Sequence, residues 1–188
     1  MTNDEGRVEK GTGGSTVVLY VAASLDGFIA RRDGDVSWLD AYQSPDFGYE
    51  RFLEGAGSVV MGSRTYEKIP SLGDWPYGTR KTYVATGREL QTMAGASIEF
   101  TGDELPEVIR KAKEAAGGKA VYVVGGGRLT TSLLSQGLLD EISLFVIPTI
   151  LGEGIPLFNG VSAPLAARFV QSIPYRNGVV LLQYGVNR

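Results

Sequence analysis

The sequence contains no cysteine and no histidine in 188 residues. The first absence removes disulfides, thiolate nucleophiles and zinc fingers, and the second removes imidazole bases and Ser-His-Asp triads, so no metal site is expected. Positive charge is also short. Eighteen Lys and Arg against 21 Asp and Glu leave a net charge of -3 and a pI near 5.1, without the basic footprint of a nucleic-acid or anionic-membrane binder. Long apolar runs are missing too: residues 142–151 form the most apolar stretch, Pro148 interrupts it, and spanning a bilayer takes roughly 20 residues. Residues 1–16 are polar and glycine-rich with no signal-peptide core, so they are expected to form a flexible leader on a cytoplasmic protein. Chemistry must therefore come from carboxylates, hydroxyls, amines or a bound cofactor.

Hydrophobic residues make up 43% of the chain, and its 26 glycines punctuate apolar runs without forming a repeat or a low-complexity tract. At about 100–200 residues per domain, residues 17–188 are expected to form one domain. Residues 17–23 are continuously apolar, as in a strand buried on both faces, and Ser24-Leu25-Asp26-Gly27 ends it in a turn. Further strands are expected at 58–61, 81–86, 120–124 and 141–147. Helices are expected from Ser44, from Ser63, over 104–116 and over 128–136. In the last forty residues, two extended runs (168–174 and 178–186) flank Tyr175-Arg176-Asn177-Gly178, a hairpin signal. The alternation predicts an α/β fold whose sheet is mostly parallel, with an antiparallel hairpin at its C-terminal side.

Three junctions carry most of the chemical information: Met61-Gly62-Ser63-Arg64-Thr65, Thr86-Gly87-Arg88 and Gly125-Gly126-Gly127-Arg128 each follow a buried strand. In a parallel sheet the carboxyl ends of the strands gather at one edge, where ligands bind. Glycine admits a phosphate close to the backbone, and helix N-termini offer free N–H groups. Three such turns suit a dinucleotide, with Arg64 and Arg88 placed for an extra phosphate such as the 2'-phosphate of NADP. Taken singly, a Gly triplet is also a structural turn and an exposed Arg a solvated charge. Neither GxGxxG nor a Walker P-loop is present.

Asp46 is the second candidate. A helix starting at Ser44 puts positions 46, 49, 50 and 53 on one face, bordering the apolar stripe of Tyr49, Phe52 and Leu53. A carboxylate there needs a partner, and a protonated amino-bearing heterocycle is one; a helix-start residue favoured by the dipole is the other reading. Trp38 and Tyr49 are candidate walls of the same cleft, and packing is the alternative for Trp38.

The segments Ala23-Ser24-Leu25-Asp26-Gly27-Phe28-Ile29-Ala30, Val60-Met61-Gly62-Ser63-Arg64-Thr65-Tyr66-Glu67, Val123-Val124-Gly125-Gly126-Gly127-Arg128 and Leu139-Asp140-Glu141-Ile142 through Pro148 to Leu157-Phe158 occur in this order. Together they resemble the dihydrofolate reductase superfamily, most closely its bacterial branch related to the C-terminal reductase domain of bifunctional riboflavin-biosynthesis proteins. The resemblance implies a dihydrofolate-reductase-like three-layer fold with a central eight-stranded sheet, and NADPH as hydride donor. It puts Ala22 and Ile29 near the nicotinamide, Gly62, Ser63, Arg64 and Thr65 with Thr86, Gly87 and Arg88 near the adenosine phosphates, and Gly125, Gly126, Gly127, Arg128 and Leu129 along the pyrophosphate. It also gives Asp46 the spacing of the carboxylate that anchors pterin. Two departures stand out: Phe145 where the folate enzymes carry a threonine, and Ser63 where they often carry an arginine. Arg80 is a candidate for an acidic substrate tail, or else a surface arginine.

The expected activity is NADPH-dependent reduction of a C=N or carbonyl group in a small heterocyclic or pteridine-like substrate. The alternatives are a riboflavin-pathway reductase acting on a ribosylaminopyrimidine, which needs a substrate-phosphate pocket, and a nucleotide-binding module without catalysis. The C-terminal hairpin carries more apolar surface than one solvent-facing edge should expose, so a homodimer is expected, with inward packing as the alternative.

Overall fold

The computed structural model describes residues 14–42, 47–161 and 163–186. Most of the expected leader and Asp46 itself lie outside the described residues. Eight strands form the main sheet: β1 (Val17–Ser24), β3 (Ala56–Gly62), β4 (Lys81–Ala85), β5 (Ser97–Thr101), β6 (Ala120–Gly125), β7 (Glu141–Ile147), β9 (Ala167–Pro174) and β10 (Val180–Val186). Their order is β5-β4-β3-β6-β1-β7-β10-β9. All pairs from β5 to β7 are parallel, while β10 pairs antiparallel with both β7 and β9. Two short strands, β2 (Phe28–Ala30) and β8 (Ile155–Pro156), make a separate antiparallel pair.

Period-two alternation divides each central strand between two cores. Val17 and Leu19 of β1, Val60 of β3 and Val121 and Val123 of β6 meet the helices α3 (Leu105–Ala116) and α4 (Gly127–Ser135). Val59 and Met61 of β3, Val84 of β4 and Tyr122 of β6 meet α1 (Tyr49–Gly55) and α2 (Ser63–Lys68) on the opposite face. Helices on both faces of one sheet give the expected three layers. The third cluster, Trp38, Phe145, Ile147, Val179 and Leu181, packs a 3-10 turn at Ser37–Tyr42 onto the antiparallel half.

Most expected elements are present within a residue or two; the helix expected from Ser44 is not. It begins at Tyr49, because Phe47 (φ 32) and Gly48 (φ 81) both adopt left-handed backbone and Gly48 is the cap. Positions 49, 50 and 53 lie in α1, and position 46 falls outside the described residues. The stripe of Tyr49, Phe52 and Leu53 does pack inward. No helix among the described residues is long and apolar enough to cross a membrane.

Candidate active site

The chain leaves the parallel sheet at one edge after β1, β3, β4 and β6, and the strand order reverses about β1, whose neighbours are β6 and β7. Such a reversal opens a crevice at the carboxyl edge. The turn after β1 is held by Asp26, whose carboxylate accepts from Ser24 Oγ (2.6 Å), Leu151 N (3.1 Å) and Gly152 N (2.7 Å). The Ser24 hydroxyl holds the Asp26 carboxyl below its ordinary value, and the two backbone donors add to this. Ser24 Oγ in turn accepts from Phe28 N at 3.0 Å, so the β1–β2 turn is tied to the segment after β7.

Three of the sequence candidates converge. A Cβ built on Gly126 would lie 3.4 Å from Thr65 Oγ1 and 3.8 Å from Ile29 Cδ1, so the β6–α4 turn passes between the β2 strand and the first turn of α2 with room for a methyl and little more. The preceding Gly125–Gly126 peptide is cis, with Gly125 at φ 120. Gly127 differs: its Cβ would stand 2.2 Å from Pro156 O and 3.3 Å from Leu157 O, so α4 starts in direct backbone contact with β8.

The remaining candidates are distributed unevenly. Thr86 Oγ1 accepts from Arg88 N at 3.1 Å and so shapes the β4 exit turn. The Arg88 guanidinium makes a two-point ion pair with Glu67 of α2 (3.1 and 3.2 Å), which draws the Thr86–Gly87–Arg88 turn towards the Ser63–Arg64–Thr65 turn. Arg64 is exposed and makes no ion pair among the described residues, and Arg128 is exposed at the start of α4. Leu129 is buried in the core, so only its backbone faces the turn.

A cavity of about 430 Å³ lies against β1, β6 and β7. Ala22 and Tyr20 of β1, Tyr122 of β6, Phe145 of β7 and Tyr49 of α1 form its walls, with Leu39, Tyr42 and Phe47 at its rim in the chain. Trp38 is buried against Phe145 and Ile147, with its Nε1 hydrogen unpartnered among the described residues, and it is its neighbours Leu39 and Tyr42 that reach the cavity. Asp46 lies outside the described residues, but Phe47, next to it in the chain, is a lining residue. Tyr49 and Tyr122 meet edge to face with ring centroids 6.4 Å apart, and burial raises both hydroxyl pKa values, as it does that of Tyr77 alongside. These phenols stay protonated near neutrality and are poor bases.

Tyr20, Tyr122, Tyr42 and Phe47 were not among the sequence candidates. The signal was available for Tyr20, because strand alternation puts it on the same face as Ala22; Tyr122 needed the pairing of β6 beside β1 to be known.

A mostly parallel eight-stranded sheet in this strand order with helices on both faces is the dihydrofolate-reductase-like architecture. The dihydrofolate reductase of Enterococcus faecalis, solved with NADP(H), superposes with a TM-score of 0.64 at 18% identity, covering 92% of this chain and 97% of that one. The RibD C-terminal domain model matches residues 70–181, and the chain belongs to that family. It is 34% identical over 144 residues to the uncharacterized protein YwjB of Bacillus subtilis (strain 168), covering 76% of this chain and 82% of that protein. A solved putative riboflavin biosynthesis protein from Shewanella sp. PV-4 matches at TM-score 0.80 and 25% identity, over 92% of this chain and 99% of that one.

Proposed function

We propose that this protein is an NADPH-dependent reductase acting on a C=N or carbonyl group of a small heterocyclic substrate. The observation that carries the reading is the Gly126 turn, whose bare Cα faces Thr65 and Ile29 at the edge where the chain leaves β3, β4 and β6; the first and last of these turns open helices, and the turn after β4 leads to β5. Those turns fit a dinucleotide: Gly125, Gly126, Gly127 and the α4 start (Arg128, Leu129) would lie along its pyrophosphate. Gly62, Ser63, Arg64 and Thr65 with Thr86, Gly87 and Arg88 would hold the adenosine phosphates, and Ala22 and Ile29 would border its ring. When bound, NADPH supplies a hydride to the electron-poor carbon of the substrate. Tyr20, Tyr49, Tyr122 and Phe145 would stack on the substrate and exclude water, and Asp46 would hold a proton-bearing ring nitrogen. The family name favours a second reading, a riboflavin-pathway reductase taking a ribosylaminopyrimidine.

Nicotinamide fluorescence titration tests the cofactor assignment. NADPH should bind more tightly than NADH, and Gly126→Ala should weaken NADPH by about tenfold or more without lowering the melting temperature, since the added methyl meets its neighbours at ordinary contact distance in the free fold but fills the space a pyrophosphate needs. Normal NADPH affinity in this variant would reduce the triplet to a turn. Oxidation of NADPH with any heterocycle separates a reductase from a binding module.

The chain is also proposed to form a homodimer. All eight residues of the edge strand β9 are exposed, among them Phe169 (57%), Val170 (39%) and Ile173 (37%). An apolar edge of this kind calls for a cover, which a two-fold copy provides. Light scattering at micromolar concentration should give twice the 20.1 kDa chain mass; a value near the single chain would sink the proposal.

A further inference from the structure

The turns after β3 and β4 leave the sheet side by side, since these strands pair in parallel with Gly62 opposite Ala85. Neither turn is filled in: a Cβ built on Gly62 or on Gly87 would meet nothing within 4 Å. The second turn is braced from the β5 side, where Thr86 N donates to Thr101 O at 2.8 Å and a Cβ on Gly102 would stand 3.5 Å from Gly87 Cα. One ion pair ties it to α2. Arg88 Nη1 and Nη2 reach Glu67 Oε1 and Oε2 at 3.1 and 3.2 Å, a two-point fork whose side chains stay 59% and 42% exposed.

Two other arginines mark the extremes between which Arg88 falls. Arg80 donates from Nε, Nη1 and Nη2 to the backbone carbonyls of Ala56, Tyr77 and Leu53 at 3.0, 3.1 and 2.8 Å, so it clamps the end of α1 to the start of β4 and has no fork left for an acidic tail. Arg64 is exposed and makes no ion pair among the described residues. The Arg88 fork is complete, but its partner is an exposed side chain that can rotate away, and a pair of this kind shifts an equilibrium by about fivefold at most. A phosphate monoester, with roughly -1.5 to -2 charge near neutrality, is the anion that would displace a carboxylate from an arginine fork. A ribose hydroxyl brings no charge, and in dinucleotide sites it is met by an acidic residue.

We propose that Glu67 sets the cofactor selectivity of this chain, by neutralising the arginine that the 2'-phosphate of NADPH needs. The inference rests on the reductase reading for the assignment of Arg64 and Arg88 to that phosphate. NADPH must open the Arg88–Glu67 pair to bind, whereas NADH leaves it closed and presents a hydroxyl from which the carboxylate can accept. Across residues 63–68 and 86–89, Arg64, Lys68 and Arg88 against Glu67 and Glu89 leave one net positive charge. Without Glu67 there are two, and the field that draws a phosphate grows accordingly. The preference for NADPH is therefore held below what the arginines alone would give.

Nicotinamide fluorescence titrations with NADPH and NADH, on the intact chain and on Glu67→Gln, read the selectivity directly. The variant keeps the reach of the side chain and loses its charge, and both partners are exposed, so the fold is retained. NADPH should bind about fivefold more tightly to Glu67→Gln, with NADH unchanged within about twofold. The same substitution made on Arg88→Ala should add less than about twofold, because the pair it opens is already gone. An unchanged ratio of the two affinities in Glu67→Gln would overturn the proposal, and so would a full gain on the Arg88→Ala background. If neither cofactor binds the unsubstituted chain, the reductase reading fails and the inference falls with it. If both bind and Glu67→Gln leaves their ratio alone, only the inference falls.

Discussion

Asp46→Asn should lower turnover by about 100-fold or more while leaving NADPH affinity unchanged. The amide has nearly the shape of the carboxylate, so packing is preserved, but it cannot pair ionically with a protonated ring or pass on its proton. Among the described residues, no side chain that lines the cavity is a carboxylate or an amine. The chain has no histidine, and the neighbouring Tyr49 and Tyr122 hydroxyls are pushed up by burial, away from any useful exchange of protons near neutrality. Initial rates of NADPH oxidation, compared with cofactor titrations on the same variant, separate the two effects. Unchanged turnover would remove Asp46 from the catalytic machinery.

Gly127→Ala should cost about 2–3 kcal/mol of stability, a fall in melting temperature of roughly 5–10 °C, because both atoms crowding the new methyl are backbone. Pro156 O at 2.2 Å and Leu157 O at 3.3 Å cannot rotate away as a side chain would; either α4 or β8 must move. Thermal melting by circular dichroism measures this, and an unchanged midpoint would mean that the β8 segment yields freely. The contrast with Gly126 is the useful part. Adjacent glycines of one triplet answer different demands, one set by a proposed ligand and the other by the fold.

That difference was invisible in the sequence, where Gly125-Gly126-Gly127 read as a single phosphate turn. Only the contact with Pro156 distinguishes the third glycine, and β8 is two residues long, too short to leave any periodicity. β2, of three residues, is too short as well. β5 was also missed, because its Ser-Ile-Glu-Phe-Thr run owes its strand state to pairing with β4 more than to local preference. By contrast β7 was legible from residue 141 to 147, since a run of Ile, Leu, Phe and Val bounded by an acid and a proline has few other solutions. The Ser44-Pro45-Asp46 helix start misled because Gly48 caps α1 instead, and local capping chemistry is outweighed once a left-handed turn intervenes. The cavity itself was half legible: Ala22 and Tyr49 were named, while Trp38 proved to support the wall from behind.

The central place of β1 has a consequence for how the chain is made. This strand cannot find its neighbours in the sheet until β6 and β7 have been made. Val17 N donates to Asp140 Oδ2 at 2.8 Å across a separation of 123 residues, which at roughly 5–20 residues per second amounts to about 6–25 seconds of synthesis. During that interval a valine-rich segment waits unpaired in a growing polypeptide. Its later docking between β6 and β7 closes the sheet by long-range contacts of the kind that slow folding. A nascent chain halted before β6 should therefore be a substrate for chaperones and proteases, while the crevice edge comes into being only once β6 has been made.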